Sequence, residues 1–247
     1  AFVDAVEQNQ LELAKTTLQE AQKFIDKHPY KNAKMFQDKI HLWQEYQYKY
    51  DLLKIYYSEN SIEEKEQKIN QVLLPDFIKE TNYSNEKFAS IDRFKRYTIG
   101  LLFLKTEPDK ANQIFVKLND EYKSSLYAHF VFASKLQSLF NSKAEKSKYL
   151  SIIDLYKQSF NDFYNDLPLH YKSDYLYGLY LAGQYEEVSS LCSKLPYFEL
   201  FDKSITVTYV KSMKDNQNEL KAKEHLDEYV RYHSVDLNDD ELQILKE

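Results

Sequence analysis

Apolar residues recur every three or four positions along most of this chain, the period of an α-helix with one buried face. Leu11, Ala14, Leu18, Ala21 and Ile25 form one such stripe. His28-Pro29 ends it, because the residue before a proline avoids the helical region. A longer stripe, Phe36, Ile40, Trp43, Tyr46, Tyr50, Leu53 and Tyr57, predicts a helix over residues 32–57, about 39 Å long at 1.5 Å per residue. Ser61-Ile-Glu-Glu64 reads as a capping box that opens a helix carrying Ile62, Ile69, Val72 and Leu73, stopped or kinked by Pro75. Ser84 opens the next, with Phe88, Ile91, Phe94, Leu101 and Leu102 on its inner face. Thr106-Glu-Pro108 starts another, since proline in the first turn loses no useful donor, and Ala111, Ile114, Phe115 and Leu118 share one side of it. Residues 124–140 read as a core helix with Leu126, Phe130, Val131, Ala133, Leu136 and Leu139 inward. Residues 142–166 read as one long helix aligned on Tyr149, Ile152, Ile153, Tyr156 and Phe160, broken by Leu167-Pro168. Asn238 with Glu241 signals a short terminal helix. No segment alternates cleanly with period two between turn residues, so the pattern predicts helices and no strand.

Between these last signals lies an internal match. At a spacing of 34 residues, Tyr175 aligns with Tyr209, Leu176 with Val210, Leu179 with Met213, Val188 with Ala222, Cys192 with Leu226, and Leu195 with Tyr229. All of these positions are apolar or aromatic, and the period suits a helix–turn–helix unit. Leu-Ala-Gly183-Gln-Tyr185-Glu-Glu-Val188-Ser-Ser-Leu-Cys192 resembles the turn and second helix of a tetratricopeptide repeat. In that family a small residue lets the second helix lie close to the first, and bulkier residues follow one and two turns later. Val188, Cys192 and Leu195 look like that series, and Ala222, Leu226 and Tyr229 like its next copy. Ala111, Phe115 and Leu118 make a partial copy, as do Ala14, Leu18 and Ala21. Gln217 stands where the turn glycine belongs, and the family's first-helix tryptophan and glycine are absent.

The resemblance implies an all-α array of antiparallel helix pairs, a tetratricopeptide-like α-solenoid that is irregular in its N-terminal half. The expected organisation is a single helical-repeat domain over 1–247, with sub-blocks at 1–82, 83–166 and 167–247. The Ala14 series lacks a preceding partner helix, which predicts that the chain is an excerpt of a longer one. The terminal helix is expected either to cap the stack or to be half of a cut repeat.

Composition supports the helical reading. Only 3 glycines and 5 prolines occur in 247 residues, too few for the tight turns and bulges of strand-rich or Rossmann-type folds. The 22 tyrosines and 15 phenylalanines suit helix-on-helix layers, with tyrosine hydroxyls at the edges. The net charge of −6 resides in residues 215–247, where ten acids face four bases. With no basic surplus anywhere, general nucleic-acid binding is not expected. A single cysteine excludes a disulfide framework and a thiolate metal site within one chain. The longest apolar run, Ile99–Leu104, is far short of the ~20 residues of a membrane span. No intact signal peptide opens the chain, and a cytoplasmic location is expected.

The chemistry-bearing motifs are missing: no phosphate-binding glycine loop, no Gly-x-Ser-x-Gly and no His-Glu-x-x-His occurs. His225 and His233 are eight residues apart on one predicted helix, about 12 Å along its axis, too far to share a metal. Cys192 falls on a packing stripe, where it reads as a small buried hydrophobe. Neither a catalytic residue nor a cofactor or metal is expected. The resemblance implies that the first helix of each pair lines a concave surface that holds peptides. Its register places His170, Ser173, Tyr177 and Tyr180 there, then Lys211 and Lys214, with Arg93, Arg96 and Phe103 from the partial copy upstream. Aromatic platforms beside Lys and Arg suit an extended peptide or an acidic group. The expected function is a non-enzymatic scaffold for a protein or peptide partner. The alternative is a sensor or regulatory region of a larger signalling protein whose effector domain lies outside this chain.

Overall fold

A computed structural model describes residues 11–27, 34–75, 84–123, 125–159 and 169–233. They form twelve helices and no strand. These are α1 (Leu11–Lys27), α2 (Lys34–Tyr56), α3 (Ile62–Gln71), α4 (Ser84–Phe103), α5 (Pro108–Tyr122), α6 (Ser125–Ser142), α7 (Lys146–Ser159), α8 (Leu169–Leu181), α9 (Tyr185–Cys192), α10 (Tyr197–Leu200), α11 (Lys203–Asp215) and α12 (Glu219–His233). The breaks at His28-Pro29 and Leu167-Pro168 and the helix signalled by Asn238 and Glu241 lie outside the described residues, as do the side chains of Phe36, Phe88 and His170. Among the described residues no helix is long and apolar enough to cross a membrane. The chain divides into two compact units, 1–127 and 128–247.

In the first unit, α2 packs against α1, α3 and α4, and α4 packs in turn against α3 and α5. The stripe through Trp43, Tyr46 and Tyr50 meets Ala14 and Leu18 of α1. There the Trp43 indole N–H donates to the Leu18 carbonyl at 3.2 Å. A second stripe on α2, His41, Glu45, Tyr48 and Leu52, is just as buried. Glu45 accepts from Ser90 of α4 at 2.9 Å and from Lys49 at 2.5 Å. A helix covered on two sides buries two stripes, and half-polar stripes escape a search for apolar periodicity. Ser61 caps α3 by accepting from the Glu64 N–H at 3.2 Å, while Glu64 itself stays exposed. Leu73, expected on the inner face, lies past the end of α3 and is 88% exposed. Ala111, Phe115 and Leu118 of α5 are fully buried. Gly100 of α4 sits against Phe115 so closely that a Cβ there would come within 2.7 Å of the ring.

In the second unit, α8 packs against α7 and α9, and α11 against α8, α9, α12 and the single-turn α10. Phe130 of α6 meets Tyr171 of α8 edge-on at 4.9 Å, and Leu136 fills the space over Gly178. Ten of the twelve positions paired by the 34-residue spacing are core: Tyr175, Leu176, Leu179, Val188 and Cys192 on one side, Val210, Met213, Ala222, Leu226 and Tyr229 on the other, while Leu195 and Tyr209 are half-buried. Leu126, expected in the core at the start of α6, is 44% exposed instead.

One turn recurs three times in this unit. Gly183, Gln217 and Lys143 all have positive φ, at 76°, 58° and 49°. In each case that residue's N–H bonds three residues back, and the next N–H bonds five residues back: to Tyr180 and Leu179, to Lys214 and Met213, to Phe140 and Leu139. This is the Schellman closure of a helix C-terminus. Two of the three use a non-glycine residue in the left-handed region, which costs about 1–2 kcal/mol relative to glycine's free access. The Lys143 turn also starts α7 at Lys146, one residue later than the other two turns restart their helices. Asp202 then caps α11, accepting from the N–H groups of Ser204 and Ile205 at 2.9 and 3.2 Å.

Candidate functional site

Counting back from the left-handed residue of each turn fixes equivalent positions on α6, α8 and α11. Phe140, Tyr180 and Lys214 occupy one level, and Gln137, Tyr177 and Lys211 the level below. Side chains from these levels form a connected row of rings. Phe140 lies 5.1 Å from Tyr177, Tyr177 stacks on Tyr180 at 6.1 Å, and Tyr180 meets Tyr185 at 5.8 Å. Tyr177 is 38% exposed. The Tyr180 hydroxyl donates to Asp215 at 2.9 Å. Burial, reinforced by that bond, pushes the hydroxyl up to about 12, so it remains a donor at any physiological pH. Lys211 and Lys214 are half-buried on the same helix as Asp215 and make no ion pair among the described residues.

Of the residues expected on a binding face, Tyr177 and Tyr180 are neighbours in this row, while Lys211 and Lys214 take the equivalent levels of α11. Ser173 does not join them, because it is buried at 8% exposure on the packed side of α8. Phe140, Tyr185 and Asp215 belong to the row and were not anticipated. The signal that would have found Phe140 is the Lys143 turn, which lacks glycine and so hides its register.

Arg93, Arg96 and Phe103, on α4 of the other unit, have partners of their own. Arg96 makes a two-pronged bond to Glu121 of α5, at 2.5 and 2.9 Å, and reaches Asp92 at 3.5 Å. The Arg96 hydrogen bond holds the Glu121 carboxyl below the usual range. Arg93 lies over the Tyr122 ring, 4.9 Å from its centre, a cation–π contact. Phe103 is 1% exposed, and the Lys110 ammonium covers its face at 3.4 Å while pairing with Glu66 at 3.1 Å. The expected open cationic platform is occupied from within the unit: α5 supplies Glu121 to Arg96 and Lys110 to the Phe103 ring, and Glu66 of α3 pairs with Lys110.

Reactive chemistry has little to start from among the described side chains. Cys192 is buried, and burial pushes its thiol up to about 12, far from a thiolate. His225 is 7% exposed, stacked on Phe201 at 5.0 Å, and burial pulls it down to about 4. Its imidazole is neutral, with Nε2 unpartnered. No group of three His, Cys, Asp or Glu side chains is placed to hold a metal among the described residues. The ring row itself presents aromatic area, exposed at Tyr177, and one fixed hydroxyl at Tyr180. Comparison with protein-family models, with curated proteins and with solved structures yields no match for this chain.

Proposed function

We propose that this chain is a helical-repeat scaffold, tetratricopeptide-like in its second unit, that binds a protein or peptide partner without catalysing a reaction on it. The observation that carries this reading is the row Phe140–Tyr177–Tyr180–Tyr185, linked through the Tyr180–Asp215 bond to α11, the helix that carries Lys211 and Lys214. Tyrosine anchors are what protein-binding surfaces concentrate, and Tyr177 is the exposed ring of this row. Phe140 comes from α6, the three tyrosines from the α8–α9 pair and the two lysines from α11, so the arrangement depends on how these helices stack. An acidic, extended segment with an apolar residue or two fits that chemistry: rings against its side chains, ammonium groups against its carboxylates.

Binding of an immobilised peptide pool to the protein and to two double variants tests the reading. Tyr177→Ala/Tyr180→Ala is expected to weaken capture by about thirtyfold or more, as loss of a central aromatic anchor does. Lys211→Glu/Lys214→Glu is expected to lose the acidic members of the pool selectively. Arg93→Glu/Arg96→Glu is expected to leave capture unchanged, since those groups are already engaged. Capture that survives both of the first two changes would remove the row from the reading.

A further inference from the structure

The first unit holds a cleft of about 330 Å³ between α1 and α2, at the lower end of small-molecule sites in size. Trp43 and Tyr50 contribute its rings, and Gln19, Gln22 and Gln47 its carboxamides. Three of these side chains are held in place by the fold. The Trp43 N–H is fixed on the Leu18 carbonyl. Gln22 and Gln47 each give an amide N–H to an acid one turn on, Asp26 at 2.6 Å and Asp51 at 3.1 Å. That leaves each carboxamide an oxygen and a second N–H. The one charged group in the lining, Lys15, is paired with Glu12 at 3.3 Å.

We propose that this cleft binds a neutral saccharide of one or two rings. A sugar ring has an apolar face of C–H groups and an edge of hydroxyls that both donate and accept. The fixed indole meets the first need, and carboxamides, which also donate and accept, meet the second. The lining offers a charged ligand a single ammonium, already paired with Glu12, and a purely apolar ligand would leave the remaining carboxamide oxygens and N–H groups without partners. The site is independent of the ring row in the second unit, so either can fail without the other.

Trp43 is the only tryptophan in the chain, so its fluorescence reads the cleft without a label. Titration of the whole protein with a panel of neutral mono- and oligosaccharides is expected to give a saturable change for at least one. Calorimetry with that sugar is expected to show affinity about tenfold weaker in Gln47→Leu and in Gln22→Leu. A Trp43→Phe variant, which keeps a smaller aromatic ring at the position, is expected to bind about tenfold more weakly as well, and melting followed by circular dichroism checks that all three variants are folded. No saturable change up to about 10 mM of any sugar would overturn the proposal. So would a sugar whose affinity is the same in all three variants, or a response to an uncharged peptide but to no saccharide.

Discussion

Helices α2 and α11 are each covered on more than one side, and they meet the crowding differently. On α11 the additional buried positions are Thr206, Thr208 and Ser212, none more than 4% exposed. Two of these return their hydroxyls to nearby main-chain carbonyls, Thr206 to Leu200 at 3.3 Å and Ser212 to Tyr185 at 3.2 Å. On α2 they are His41, Glu45 and Tyr48, large groups of which Glu45 is held by Lys49 and Ser90, while the Tyr48 hydroxyl is buried without a hydrogen-bond partner among the described residues. Small hydroxyls need only a carbonyl, which every helix supplies; large polar groups need a specific neighbour. On α11 the crowding is therefore met through main-chain acceptors, and at Glu45 of α2 through side-chain partners.

The largest expected effect is at His225 of α12, a large buried polar group in the second unit whose Nε2 has neither kind of partner among the described residues. Its imidazole is pulled down to about 4 in the folded chain, against an ordinary value near 6.5, with burial as the cause. The unfolded chain binds the proton first, so stability that is complete above about pH 6.5 is lost as the pH falls toward 4. The loss amounts to about 3 kcal/mol. Urea unfolding across that window is expected to show the slope in the native chain. The slope is expected to flatten in His225→Phe, which keeps a ring on Phe201. Equal slopes in the two chains would mean that the unit tolerates a charge there.

Next in size is Gly100→Ala in the first unit. The added methyl meets the Phe115 ring at under 3 Å, and overpacking of this kind costs about 1–3 kcal/mol. Part of that is expected to return in the double variant with Phe115→Leu, read from the denaturation midpoints. Smaller, and of opposite sign, are Gln217→Gly and Lys143→Gly. Relief of a left-handed non-glycine residue is expected to stabilise each by about 0.5–1 kcal/mol, while Gly183→Ala is expected to destabilise by a similar amount. If the two glycine variants are neutral or harmful, the three turns are not equivalent and the register built on them falls. The smallest effect belongs to Arg96→Ala. Its partner Glu121 is half exposed, so the loss is expected to stay under about 1 kcal/mol and to shrink further in high salt.

How much of this was legible from residues alone depended on whether the signal was apolar. Val188, Cys192, Ala222 and Leu226 carry a packing stripe of small and large hydrophobes, and the 34-residue spacing located all of them. Pro108 and Ser61 marked helix starts because each acts on its own first turn. The second stripe of α2 stayed hidden because His41 and Glu45 carry no apolar mark, and their burial is decided by α4. The turn at Lys143 stayed hidden because a lysine in the left-handed region looks like any other lysine, so residues 142–166 read as one helix. The site divided along the same line. Tyr177, Tyr180, Lys211 and Lys214 followed from the turn register, whereas the fate of Arg96 and Phe103 rested on Glu121 and Lys110, which no local pattern connects to them.

The lone thiol of Cys192 has one more use, as a clock. It lies at the end of α9, sealed from solvent and held protonated. A thiol-directed reagent can meet it only when that helix lifts away from its neighbours. The speed of alkylation under native conditions therefore counts how often α9 opens. Any partner that settles on the nearby rings and damps that opening will slow the count.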